Sequence, residues 1–359
     1  MKVLISGYWN NNLGDDLFLK IISQHYPKHD FYIIAGKKAF DSFNGIKNIH
    51  QVSIPLSVKV LNKLMVTCHL DSSKLLANFQ LKIMNNFKAY CEVGGSLFIL
   101  PQEGMGRQYN LRQKITHLDL PYYVIGSNFG PYFSNEQVSN YRRLFKSINH
   151  VTFRDKNSYE LFSGLNNISY APDLVFNLDT SSFNVSEDYT LISVINPKEH
   201  FNERITKNYF QYLEKVIQNL LRQGEHVMLM SFCEAEGDLQ AANKLKEKFD
   251  TSAVQIFNHT SINKSLKVIS KAKKIITSRY HAMILAWLFN KPTFVMSYSK
   301  KIDNVVQDLF PQQPYVDIEY LNQKFQMPTF DVNDNVESIV EKSKGQFLAL
   351  DSFLNDEVD

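Results

Sequence analysis

An apolar run, Ile275-Ile276-Thr277, meets a second one, Ala282 to Ala286, and Ser278-Arg279-Tyr280-His281 stands between them. A buried strand running into a helix puts Ser278, Arg279 and His281 at a helix N-terminus. Free backbone N–H groups and the helix dipole favour an anion there. Arginine offers a planar donor fork to carboxylate or phosphate, and imidazole moves protons near neutral pH. Together they suit a small, multiply charged phosphate ester; the bland alternative makes His281 a hydrogen-bonded helix-start residue. A second arginine, Arg154, ends the β-rich run Val151-Thr152-Phe153, with Asp155 and Ser158 following at a helix start. It is either another anion fork or the partner of a salt bridge to Asp155 or to a neighbouring helix. Lys300 and Lys301 follow the strand-like run 292–297 and can help neutralise an anion, although solvated surface lysines are the commoner case.

Other strand ends carry small and polar groups. The loop Gly7-Tyr8-Trp9-Asn10-Asn11-Asn12-Leu13-Gly14-Asp15-Asp16 is no dinucleotide fingerprint, because its glycines are too far apart. Asn10 suits sugar hydroxyls, and Asp15 and Asp16 would repel phosphate at the helix start they occupy. The loop therefore reads as the site of a neutral, hydroxyl-bearing acceptor, the alternative being a tight turn with Asp15 as helix cap. Gly94 and Gly95 after Glu92-Val93, and Ser127-Asn128 within Gly126 to Pro131, put further small polar groups at strand ends. Each alone is an ordinary turn signal.

These loops need a scaffold of alternating strands and helices. Strand-like runs fall near 2–6, 30–35, 89–93, 121–126, 150–153 and 168–170, separated by helical-period segments. A second series starts at Tyr189, with strands near 189–195, 226–232, 254–257, 274–278 and 292–297. This is the pattern of an α/β protein with parallel, doubly wound sheets. It predicts two Rossmann-like domains facing a central cleft in the GT-B manner, 1–178 on the acceptor side and 179–332 on the donor side. The segment 333–359 would be a helix packing back on the first domain.

Composition narrows the function. The 359 residues exceed what one core usually organises. Lys plus Arg number 39 against 36 Asp plus Glu, which argues against a nucleic-acid binder. Cys68, Cys91 and Cys233 have no metal-like spacing and read as buried thiols, and the short N-terminal apolar run is no signal-peptide core. A cytoplasmic location is expected. No His/Cys/Asp/Glu cluster has ligand spacing, so neither a metal nor a cofactor is expected. The stretch 57–88, with five lysines, one aspartate and many apolar residues, suits either contact with the inner membrane face or core-facing helices with a solvated lysine face.

In order and spacing these motifs resemble the polysaccharide pyruvyltransferases. The resemblance runs from about Gly7 to Leu309: Gly7 with Gly14-Asp15, Gly94-Gly95, Gly126 to Pro131, Arg154-Asp155 with Ser158, Pro172-Asp173, Ser278-Arg279-x-His281 and Tyr298 to Lys301. It implies phosphoenolpyruvate as donor and a saccharide acceptor, lipid-linked or free, that receives a pyruvate ketal. By position, Arg154, Arg279 and His281 would contact the donor, with Ser278 and Lys300 assisting and His281 as general acid and base. Two departures, Glu92-Val93 where a third glycine is expected and Ser127-Asn128 where glutamine is usual, bear on the acceptor. The rival readings are a nucleotide-sugar glycosyltransferase on the same fold and a non-catalytic saccharide binder.

Overall fold

The computed structural model describes residues 1–67, 73–183, 188–321 and 325–355. Among the described residues, runs of three to six residues, most of them largely apolar, form thirteen parallel strands in two sheets. The first comprises β1 (Lys2–Ser6), β2 (Asp30–Ile33), β3 (Ile49–Gln51), β4 (Ala89–Val93), β5 (Tyr122–Ser127), β6 (His150–Phe153) and β7 (Ile168–Tyr170), in the order β3-β2-β1-β4-β5-β6-β7. The second comprises β8 (Tyr189–Ser193), β9 (Val227–Ser231), β10 (Val254–Asn258), β11 (Ala272–Thr277), β12 (Thr293–Ser297) and β13 (Tyr315–Asp317), in the order β10-β9-β8-β11-β12-β13. Central strands such as β4 and β12 are buried along their whole length, as parallel strands covered by helices on both faces must be. The fold is therefore α/β, two Rossmann-like layers of the GT-B kind.

Winding reverses between β1 and β4 in one sheet and between β8 and β11 in the other. Loops leaving the carboxyl ends of strands at such switch points diverge and leave a crevice. The two crevices face each other. The helix Leu13–His25, capped by Asn12, crosses from the first sheet towards the second: Leu13 N donates to Phe232 O at 3.2 Å, and Asn12 makes an isolated antiparallel bridge with Cys233. Apolar packing is continuous across the junction. Val3, Leu17 and Phe18 belong to the same buried cluster as Ile275, Met283 and Trp287, and each such side chain contributes about 1.5–3 kcal/mol. The helices Val336–Ser343 and Leu348–Asn355 lie against the first sheet's layer, with Phe347 stacked on His25 at 3.8 Å and Gln346 donating to Ala171 O at 2.7 Å.

Several elements differ from the sequence expectation. The three-residue edge strands β3 and β13 are too short to show a period. The helix Gly106–Ile115 is nearly all polar, and Lys300–Leu309 opens with lysines that read as a solvated strand end. The stretch 57–88 forms two helices, Leu56–Thr67 and Ser73–Met84; the residues joining them, Cys68 among them, lie outside the described ones. Cys91 and Cys233 are buried free thiols. Among the described residues no helix is long and apolar enough to cross a membrane.

Candidate active site

Arg154 stands at the end of β6 and is almost wholly buried. Its Nη1 donates to Asp173 Oδ2 at 2.8 Å and reaches His281 Nε2 at 3.4 Å, while Nη2 donates to Asn128 Oδ1 at 2.9 Å. The guanidinium lies 4.1 Å from the centre of the Tyr280 ring, a cation–π stack that fixes its plane. Asp173 follows β7 and is fully buried. His281 arrives from the second sheet, on the first turn of the helix Tyr280–Leu288 that follows β11. Its Nε2 is 3.7 Å from Asp173 Oδ2, beyond hydrogen-bond length, and Phe18 meets the ring edge-on at 5.1 Å. Two glycines make this approach sterically open: a methyl on Gly14 would overlap the imidazole, and one on Gly95 would overlap the Arg154 guanidinium.

The cluster borders a cavity of about 370 Å³ that also receives Tyr8, Asp15, Glu236, Arg279 and Lys301. Through Arg154, Tyr280 and Lys301 this cavity adjoins a second of about 670 Å³, lined by Asn128, Phe129, Tyr132, Asn157, Tyr298 and Lys300. Burial sets the protonation states. It pushes the His281 imidazole down, against the pull of Asp173, with Arg154 and Lys301 adding to the drop. Burial raises Asp173, but His281 and Arg154 outweigh it and hold that carboxyl below its usual range. Burial together with the neighbouring Asp16 pushes Asp15 up to about 7. The cavity thus holds a neutral imidazole and a carboxyl poised at neutral pH, beside a fixed positive fork.

The residues singled out in the sequence divide three ways. Arg154, Arg279, His281, Asp15, Gly94 and Gly95 share the smaller cavity, so the residues expected to hold the acceptor face the same space as the arginines expected to hold the donor. Asn128 and Lys300 line the larger one, and Lys300 is highly exposed beside Asp303 at 3.6 Å. Ser278, Ser127 and Asn10 line neither. Ser278 Oγ pairs with Tyr209 OH at 3.1 Å, Ser127 Oγ donates to Asn128 O at 3.1 Å, and Asn10 is exposed. Arg279 is already engaged: Nε donates to Asp238 Oδ2 at 2.9 Å, and its terminal nitrogens bond Asp238 and Glu236. Asp16 turns away from the cavity to His259 Nε2 at 3.1 Å. A larger hollow of about 710 Å³, between Asn196 and Lys244 on the second domain, receives neither Arg154 nor His281.

A family model described as polysaccharide pyruvyl transferase matches residues 12–300, from the Asn12 cap to Lys300. The chain belongs to that family. No curated protein matches the sequence. Among solved structures, the S. aureus MnaA–UDP complex is similar at 11% identity and a TM-score of 0.59, covering 99% of this chain and 96% of that one. The Methanocaldococcus jannaschii UDP-GlcNAc 2-epimerase with UDP-GlcNAc and UDP is similar at 12% identity and a TM-score of 0.56, covering 95% and 99%. At such identities they attest the fold alone.

For a member of the pyruvyl transferase family, the residues to which sequence reasoning gave little or no role are informative. Asp173 is central, and its signal was the Pro172-Asp173 pair just after a strand. Tyr280, which stacks on Arg154, sat unnoticed inside the Ser-Arg-Tyr-His motif. His200 and Tyr298 line both cavities, their rings 4.9 Å apart, and come from loops whose meeting no local pattern announces. Lys301, rather than Lys300, is the lysine common to both cavities. Among the described residues, no group of three or more His, Cys, Asp or Glu side chains is arranged to hold a metal.

Proposed function

We propose that this chain transfers the pyruvyl group of phosphoenolpyruvate to two hydroxyls of a saccharide acceptor, closing a cyclic ketal. The observation that carries the reading is that Arg154 and His281, which converge on the buried Asp173, stand beside Asp15 in a 370 Å³ cavity with room for a three-carbon phosphate ester. The donor occupies that cavity, with Arg154 and Lys301 facing its carboxylate and phosphate. Arg279, held by Asp238 and Glu236, contributes by fixing the loop, its charge being taken up by those two carboxylates. The saccharide lies in the adjoining 670 Å³ cavity, where Tyr132 and Tyr298 offer ring faces and Asn128 and Asn157 offer amides.

Asp15, protonated below about pH 7, delivers a proton to the methylene carbon, and C2 becomes electrophilic. One sugar hydroxyl bonds to C2 while neutral His281 accepts its proton. The C2–O bond to phosphate then breaks, the electron pair leaving with phosphate, and the second hydroxyl adds to C2. Of the two hydroxyl protons, one replaces the proton given by Asp15 and the other leaves on phosphate. The fixed charge of Arg154 stabilises the departing anion.

Calorimetric titration of phosphoenolpyruvate into the wild type and Arg154→Lys, with UDP as control, tests the donor. Saturable phosphoenolpyruvate binding, weakened about 10- to 100-fold when the fork becomes a point charge, is the expected result. Binding of UDP but not phosphoenolpyruvate would replace the reading with a nucleotide-sugar enzyme.

A further inference from the structure

The helix Leu56–Thr67 leaves an apolar face uncovered. Leu56, Val60, Leu61 and Leu64 are 76%, 50%, 46% and 56% exposed, and their spacing puts them along one side. A soluble surface scatters single exposed leucines; four on one short helix form a contiguous stripe that marks a contact site. Neither this helix nor its neighbour Ser73–Met84 contains an acidic residue, whereas Lys59, Lys63, Lys74 and Lys82 are all exposed. Between Ser73–Met84 and the helix Gly106–Ile115 a hollow of about 300 Å³ gathers Lys74, Arg107 and Lys114, with Asn78 and Asn110 beside them. An apolar stripe bordered by lysines, next to a basic hollow of headgroup size, complements an anionic bilayer in both of its layers.

We infer that this face of the first domain docks on an anionic membrane. The stripe enters the interfacial layer, the lysines meet the lipid phosphates, and the basic hollow receives a headgroup. The same surface leads to the active site. A second hollow of about 300 Å³, lined by Trp9, Ile54, Leu76 and Phe79, separates the helix Ser73–Met84 from the loop after β1. The other side of that loop supplies Tyr8 to the catalytic cavity, and the first turn of the helix that follows it supplies Asp15. A membrane held here therefore brings an acceptor carried on a lipid diphosphate within a few side chains of the donor.

Flotation with phosphatidylcholine vesicles, with and without phosphatidylglycerol, tests the inference on the full chain. The wild type floats only with the anionic vesicles, and its binding falls with added salt. Lys59→Gln/Lys63→Gln lowers the partition coefficient about 30-fold, at the usual increment per lysine near an anionic leaflet. Leu61→Ser/Leu64→Ser lowers it as well. Phosphoenolpyruvate titration of both variants matches the wild type, so a failure here is distinguishable from a failure of the donor assignment. Wild-type protein that does not float, or variants that float like it, would overturn the inference. So would a dimer in sedimentation velocity that Leu61→Ser/Leu64→Ser dissolves, since the stripe would then be covered by a second copy.

Discussion

Asp15 and His281 share one cavity with their ordinary proton affinities moved towards each other, a carboxyl raised to about 7 and an imidazole lowered by burial. If the carboxyl is the acid, kcat falls as pH rises through about 7, because the proton-bearing form disappears; Asp15→Asn removes that limb and lowers kcat about 10²–10⁴-fold. The same shift has a stability side. A carboxyl that binds its proton more tightly folded than unfolded weakens the native state as pH rises from about 4 to 7. Asp15→Asn therefore raises the melting temperature at pH 8 and leaves it unchanged at pH 3.5, which calorimetry of both proteins checks. Close approach is equally a residue-scale matter. Gly95→Ala pushes against the Arg154 guanidinium and weakens phosphoenolpyruvate binding while circular dichroism stays native, since the clash is with a side chain at the cavity wall. Part of the cluster at the cleft was legible at this scale: Arg154 and His281, which the structure brings together, announce themselves by type at the end of an apolar run. Their mutual partner, Asp173, was named only as part of a motif, because a carboxylate beside a proline has many uses and only the fold shows that two loops over a hundred residues apart converge on it.

Among the elements, the helix Leu13–His25 has the most positional work. Asn12 caps it by accepting from Gly14 N at 3.1 Å, and the same side chain donates to Glu236 across the cleft at 3.3 Å. Asn12→Ala removes both, lowering stability by about 1 kcal/mol in urea unfolding, as a lost cap does, and loosening the first helical turn, which carries Asp15. Long, strongly patterned elements were readable from the sequence: the central strands of both sheets and the helix Glu203–Arg222, whose apolar residues recur with helical spacing. What escaped is what local pattern cannot encode. β3 and β13 are strands because they find a neighbour's edge, not because three residues prefer to be extended. Ser278 sits in the motif it was expected to serve, yet its hydroxyl turns back to Tyr209 on the helix Glu203–Arg222, a direction fixed by tertiary packing.

At the scale of the whole molecule, the two layers are joined by buried polar contacts as well as by apolar packing. Asp16, on the helix Leu13–His25, pairs with His259 after β10, both side chains fully buried, and His259 is steadied by Ser265 at 2.7 Å. His259→Ala strands the Asp16 carboxyl and costs about 3–5 kcal/mol, whereas replacing the two together by Asn and Phe costs less; urea midpoints of the single and double variants decide it. The cluster at the cleft is divided in the same way. Arg154 and Asp173 belong to the first layer and His281 to the second, with only a notch at Gly14 for the imidazole to enter. Any rotation that parts the layers withdraws the imidazole from the guanidinium. On the chemistry proposed above, such an arrangement works as an interlock: an open molecule would hold the donor on its arginine yet lack the group that activates a nucleophile, so stray water would not consume the donor before a sugar is in place.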